Sequence, residues 1–343
     1  MKYILWERAS CRMKKAVLCA IAALGLSACS SYNPLGDNEL RKPIGEVPPS
    51  GPALKVTYFG NTTLLIQDGH TSLLVDGFLS RPGFLQTFFG KIGPDDVEIN
   101  RTGIDRVDAI LVGHSHHDHA LDATALADKF QTKVIGSESF AQIYRGSHKA
   151  GRNSTLVTVP MEGGSFQFGE FTVRFALSNH VSSHYSFQRR IEGPITAPVQ
   201  MPARSSDFKC GDVFALHISH SQGNIVVTTT AGAKEGQLSG READVVFLGT
   251  GFLSKETPEQ QDFYWRETVE ATLPDVIVPV HWDNFFRKLS RPGGLKPSAV
   301  IDSPQRAMDL VKRKAEQRRV RVLDKRESLW ISGGKVYCPA PPR

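Results

Sequence analysis

Between Gly113 and His119 the chain reads Gly-His-Ser-His-His-Asp-His, which puts four of its eleven histidines (His114, His116, His117 and His119) beside Asp118. Imidazole is a borderline ligand suited to zinc and iron, and a carboxylate beside it makes a mixed nitrogen and oxygen donor set. The largely apolar run 107–112 just upstream reads as a buried strand. The cluster therefore sits on the loop at a strand end, where catalytic groups commonly lie. A His-rich surface tract binding metal adventitiously is the bland alternative, but such tracts do not usually end a buried strand and lead into a helix. The pattern predicts a metal site. Zinc is the expected ion, one or two per chain, with iron or manganese as open alternatives.

The elements that must position this cluster follow from pattern. Strand signals cover 54–59, 63–67 and 72–75, with Gly60-Asn61 and Asp68-Gly69 as turns between them. Further strands are expected at 133–135, 156–159, 171–177, 213–219, 225–230, 245–248 and 276–280, and helices near 120–129, 138–144, 258–271 and 304–319. Two sheets covered by helices fit this mixture. Phe78, Phe84, Leu85, Phe88 and Phe89 lie in a Gly- and Pro-broken segment. They are expected mainly as buried core, with an apolar lip for a lipid-like substrate as the alternative.

Read as H-x-H-x-D-H, the residues His114, His116, Asp118 and His119 resemble the first motif of the metallo-β-lactamase superfamily. The resemblance spans roughly residues 53–335 and implies an α/β fold, the αββα sandwich. It further implies that His114 and His116 serve one metal while Asp118 and His119 serve a second. His180, after the strand 171–177, matches the third ligand of the first metal, with His184 as its rival; His281, after the strand 276–280, matches the last histidine ligand. His117 occupies a free position of the motif and is expected to be a supporting or solvent-facing residue. Asp283 is expected either as an acceptor for a ligand histidine or as a surface carboxylate. Trp282, Phe285 and Phe286 are expected to pack, and His217 and His220 to be structural or peripheral.

One departure stands out. Two-metal members usually carry a Gly-Asp pair whose aspartate bridges both ions, whereas this chain has Thr230-Ala231-Gly232-Ala233 at the matching place. The second metal site is thus expected to be weakened, remodelled or empty.

Three neutral imidazoles leave a zinc with an open position, and metal binding brings the pKa of bound water from about 15.7 towards ~7. The expected chemistry is hydrolysis, with Asp118 orienting the nucleophile and moving its proton. The runs 56–66 and 74–76 and the closing Pro279-Val280-His281-Trp282 are similar to the branch that includes ascorbate-phosphate lactonases and N-acyl-phosphatidylethanolamine phospholipase D. That likeness implies an ester, lactone or phosphodiester substrate, small or lipid-like. A mononuclear iron oxidoreductase acting on sulfur compounds and a non-catalytic envelope lipoprotein are the competing readings.

The first residues read as a leader. Met13-Lys14-Lys15 is a short basic region, 16–24 is apolar, and Leu26-Ser27-Ala28-Cys29 looks like a bacterial lipobox whose Cys29 would be lipidated. Met13 is the more conventional start. The expected organisation is a signal peptide over 1–28, a Pro-, Gly- and Ser-rich tether over 29–52, and a hydrolase domain over 53–343. Ser30 lacks the aspartate that often retains lipoproteins in the inner membrane, so an outer-membrane anchor facing the periplasm is expected. No run of eighteen apolar residues follows residue 30.

The leader also carries most of the basic excess. Lys2, Arg8, Arg12, Lys14 and Lys15 against Glu7 give +4, so removing residues 1–28 takes the net charge from +6 to +2. Nucleic-acid partners lose their compositional support. Lys312, Arg313, Lys314, Arg318, Arg319 and Arg321 are expected to form a solvated face. Cys210 and Cys338 are the cysteines beyond the lipobox; they could pair, though spacing alone does not bring them together. Oligomeric state is not legible.

Overall fold

The computed structural model describes residues 32–45, 49–148, 152–182, 184–298 and 302–340. The leader, residues 1–28, and Cys29 lie outside the described residues.

Two sheets form the body. The strands, in chain order, are β1 (Leu54–Tyr58), β2 (Leu64–Gln67), β3 (Ser72–Val75), β4 (Ala109–Leu111), β5 (Lys133–Gly136), β6 (Thr155–Thr158), β7 (Gly164–Phe168), β8 (Phe171–Ser178), β9 (Val213–His220), β10 (Gly223–Thr228), β11 (Val245–Gly249), β12 (Val276–Val280), β13 (Arg319–Val320), β14 (Ser328–Ser332) and β15 (Lys335–Tyr337). One sheet runs β15-β14-β1-β2-β3-β4-β5-β6 and the other β13-β12-β11-β10-β9-β8-β7. From β3 to β6, and again from β10 to β13, neighbours are parallel.

Parallel strands are covered on both faces and read as continuous apolar runs, which is why Ser72–Val75 and Val276–Val280 are buried at every position. Alternation along the second sheet divides its faces. Val173, Phe175, Leu216, Ile225, Val227, Phe247 and Val278 join Val56, Leu73 and Ile110 of the first sheet in one core. Ala176, Ala215, Val226, Val246, Leu248 and Ile277 point the other way, into a second cluster with Tyr264, Trp265, Ala307 and Val311. The result is the expected αββα sandwich.

The helices are α1 (Phe84–Phe89), α2 (Asp96–Arg101), α3 (His117–Ala120), α4 (Ala123–Phe130), α5 (Glu138–Ser147), α6 (Ser186–Arg189), α7 (Pro258–Trp265) and α8 (Pro304–Ala315). Several differ from expectation. The helix expected over 120–129 begins earlier and is split into α3 and α4, so the His cluster itself forms the first turn. The one expected over 258–271 passes into a π-turn, Arg266–Glu270, after α7. Helix α1 arises in the segment expected to be broken. Phe78 is core, but Leu85 and Phe89 are 65% and 61% exposed, against the core expectation for them.

Of the stretch 29–52, expected as a tether, residues 32–45 pack on the domain, while 49–52 are largely exposed. Pro34, Leu40 and Ile44 are buried, and Ile44 pairs with Cys338 next to β15. Arg41 bonds Glu327, and Lys312 bonds Asp37. Arg321, expected on a solvated face, is buried instead, held by the Arg41 carbonyl and the Cys338 thiol. An arginine beside polar acceptors on two segments is withdrawn from solvent by them, which composition cannot reveal. Cys210 and Cys338 are both buried free thiols.

Ile110 sits at the centre of the first sheet with no exposure. Ile110→Ala should cost about 2–5 kcal/mol of unfolding free energy in urea titration. A change within the roughly 0.5 kcal/mol of surface substitutions would contradict this packing.

Candidate metal centre

Strand ends converge at one edge of the sandwich. His114 follows β4, His180 follows β8, His281 follows β12, and α3 carries Asp118 and His119. Two triads result. One nitrogen each from His114, His116 and His180, and one ligand atom each from Asp118, His119 and His281, come within 4.8 Å of one another inside their own triad. The triads adjoin, since the rings of His114 and His119 lie 3.9 Å apart.

In the first triad each ring is fixed through its other nitrogen. His180 Nδ1 donates to the Val181 carbonyl at 2.9 Å, and His116 Nε2 donates to the Ile191 carbonyl at 3.2 Å. His114 Nδ1 meets the Thr229 hydroxyl at 3.2 Å, while its Nε2 is buried without a hydrogen-bond partner. An orphaned imidazole nitrogen facing two others is costly unless a ligand fills the site. Burial drives the pKa of His114 and His116 well below the ordinary value, and that of His180 down to about 4. Neutral imidazoles with a free lone pair are the state that a divalent ion takes.

The second triad is charged. His281 Nε2 lies 3.1 Å and His119 Nε2 3.4 Å from Asp118 Oδ2. His119 Nδ1 donates to Asp76 Oδ2 at 2.7 Å, and Thr62 bonds the same carboxylate. A carboxylate behind a ligand histidine sets its tautomer and raises its basicity. Burial opposes a proton on His119, but Asp118 and Asp76 outweigh it and push its pKa up to about 10. Burial alone would raise the Asp118 pKa; His119 and His281 instead hold it well below the carboxylate range. These donors fit a divalent ion at either triad, with Asp118 as the single carboxylate ligand between them.

Nothing among the described residues replaces the missing aspartate. Thr229 is engaged with His114, and the Thr230 hydroxyl accepts from the Val181 amide at 3.2 Å. His184, the rival for His180, instead bonds Glu256 at 3.1 Å. His117 is mostly buried, with its ring near Phe78, Phe208 and Phe285 and its Nε2 unpartnered. His217 bonds the Glu242 carbonyl, and His220 lies beside Asp68 and Glu170, both away from the centre. Asp283 is neither a ligand's acceptor nor a surface group: it is buried and paired with Arg81 Nη1 at 2.6 Å.

Above the triads opens a cavity of about 570 Å³. His116, His117, Asp118, His180 and His281 line its floor; Phe88, Phe187, Phe252, Phe285 and Phe286 form an aromatic wall; Arg190, Arg204 and Glu192 also reach it. The apolar-lip alternative is thus met by Phe88, which packs on Phe286, while Phe285 and Phe286 join the cavity as well as packing. Cys210 lines it too, its thiol pushed up to about 12 by burial. Sequence reasoning missed Arg190, Arg204, Phe187 and Phe252, which belong to no motif. It also gave no role to Asn61, which looked like a turn residue beside Gly60.

Comparison with known proteins agrees with this geometry. A sequence model of the metallo-beta-lactamase superfamily matches residues 56–301. A UPF0173 metal-dependent hydrolase of Carboxydothermus hydrogenoformans is 32% identical over 131 residues, covering 38% of this chain and 49% of that protein. One from Lysinibacillus sphaericus is 25% identical over 237 residues, 68% of this chain and 86% of its own. The chain spans about half the length of most of the curated relatives it matches. Among solved structures, an isothiocyanate hydrolase from Delia radicum gut bacteria superposes with a TM-score of 0.50 at 15% identity, over 81% of this chain and 99% of that one. That likeness is one of fold.

The lowered histidine pKa values carry a sign. His114, His116 and His180 stay neutral in the fold but take protons near pH 6.5 once unfolded. Their contribution is therefore fully present above pH 6.5 and is lost as pH falls toward the folded values. His119, raised instead, contributes stability that is lost as pH rises from 6.5 through about 10, so below pH 6.5 it opposes the loss only weakly. Metal-free protein should lose stability steadily from pH 6.5 to 5 in urea titrations, with a shallower slope in His180→Gln. A flat profile would contradict neutral, buried rings.

Proposed function

The chain belongs to the metallo-beta-lactamase superfamily, and we propose that it is a metal-dependent hydrolase cleaving an ester, lactone or phosphodiester, with zinc as its ion. The observation that carries this reading is the pair of adjoining triads at the floor of a cavity large enough for a small substrate. The curated relatives are described as metal-dependent hydrolases, which supports the reaction class.

His114, His116 and His180 would hold one ion, and Asp118, His119 and His281 a second. When bound, a divalent ion supplies Lewis acidity that polarises a carbonyl or phosphoryl oxygen and acidifies water. The remaining work falls to side chains. Asp118, kept ionised by His119 and His281, orients the attacking water and accepts its proton at a carboxylate oxygen. Asp76 holds His119 in one tautomer through Nδ1. The aromatic wall takes the apolar part of the substrate and excludes bulk water from the floor. This supports a substrate with an apolar, lipid-like portion.

Envelope attachment through Cys29, at the outer membrane facing the periplasm, belongs to the same proposal and is supported by the lipobox-like Leu26-Ser27-Ala28-Cys29. No nucleic-acid partner is proposed, because the positive charge lies mainly in the leader.

Metal content of a soluble form beginning after Cys29, purified without added metal, tests the reading directly. Zinc at one or two ions per chain is expected, together with turnover of activated esters or phosphodiesters. His116→Ala should abolish metal-dependent turnover while leaving the circular dichroism unchanged. Full activity in that variant, with its metal content checked, would sink the assignment.

A further inference from the structure

Asn61 lies in the turn between β1 and β2, fully buried and in the left-handed backbone region at φ +52°. Its side-chain Nδ2 donates to the Asp118 carbonyl at 2.5 Å, and its own carbonyl accepts the His281 amide at 2.7 Å. Separate atoms of one residue thus grip two of the three members of the second triad. Its amide in turn donates to Asp283 Oδ1 at 2.7 Å, and the other oxygen of that carboxylate is paired with Arg81. The Tyr58 hydroxyl donates to the Asn61 carbonyl at 3.0 Å. Neither His114, His116 nor His180 is held this way; their rings rest on Thr229, Ile191 and Val181.

We propose that Asn61 is a positioning residue that sets Asp118 against His281, so that it governs metal affinity at the second triad and leaves the first triad alone. This rests on the metal-dependent reading above. The left-handed turn serves this purpose, since it lets the backbone carbonyl and the side-chain amide of one residue reach two different segments. Asn and Asp tolerate that conformation better than most residues. The fixed backbone at His281, itself at φ +61°, is the other end of the same clamp.

Asn61→Asp is the sharpest test, because it keeps shape and backbone preference. It presents an acceptor to the Asp118 carbonyl in place of a donor. Asn61→Ser removes the donor without adding charge and serves if the first variant does not fold. Each is compared with the unaltered protein and with His281→Ala by zinc titration calorimetry and by the visible absorption of the cobalt(II) form.

Affinity at the second site should fall about 10–100-fold, the usual effect of losing an outer partner of a ligand. The first site should be unchanged, and the cobalt spectrum should move toward that of His281→Ala. Unchanged affinity at both sites would overturn the proposal. So would equal loss at both sites with native circular dichroism, or failure of both Asn61 variants to fold. If the unaltered protein takes up one ion, weakening by both His281→Ala and the Asn61 variants supports the clamp; insensitivity to both overturns it while the metal reading stands. No metal in the unaltered protein would overturn the metal reading itself.

Discussion

A buried imidazole can offer one nitrogen to an ion only if its other nitrogen is satisfied elsewhere, and this constraint organises the ligand end of the sandwich. His114, His116, His119 and His180 each meet it with a different partner: Thr229, the Ile191 carbonyl, Asp76 and the Val181 carbonyl. Those partners come from β10's end, the loop after α6, β3's end and the loop after β8. The ligand rings therefore cannot be placed until both sheets are assembled. The sandwich also makes the site dry enough for its one ligand carboxylate and its neutral rings to act strongly on a bound charge.

The same edge collects backbone strain. Asn61, Asp76, Arg81, Phe252 and His281 all have positive φ; Phe252 and His281 line the cavity, while Asn61, Asp76 and Arg81 are buried and bond Asp118, His119 and Asp283. Residues held there cost of order 1–3 kcal/mol each unless their surroundings over-determine them. The buried Arg81–Asp283 pair is part of what does so. Its charges are fully withdrawn from water, and Tyr58 and the Asn61 amide supply further hydrogen bonds to the carboxylate. Removing one partner of such a pair leaves an uncompensated buried charge. The pair is better understood as fixing a geometry than as adding net stability.

Much of this was legible in the chain itself, for identifiable reasons. His114, His116, Asp118 and His119 are contiguous, and the apolar run before them marks a strand end. His180 and His281 also follow runs with clear strand character. Pattern could not show what depends on contacts between distant segments. Asn61 reads as an ordinary turn residue until Asp118 and His281 arrive beside it. Arg321 reads as one more surface cation until the 32–45 segment covers it. Phe285 and Phe286 look like packing, yet they also form the cavity wall, because the loop after β12 turns back over the triads. Helix α1 was hidden by flanking Pro82, Gly83 and Gly90, which delimit it.

The packed 32–45 segment changes how an anchor at Cys29 would act. Read as a free tether to residue 52, the chain would let the domain wander tens of ångströms from a bilayer. With Ile44 paired to Cys338 and Leu40 buried, the leash in an anchored protein shortens to the three Cα–Cα steps from Cys29 to Tyr32, at most about 10 Å of extended chain. The body would then ride on the lipid surface with a restricted set of orientations.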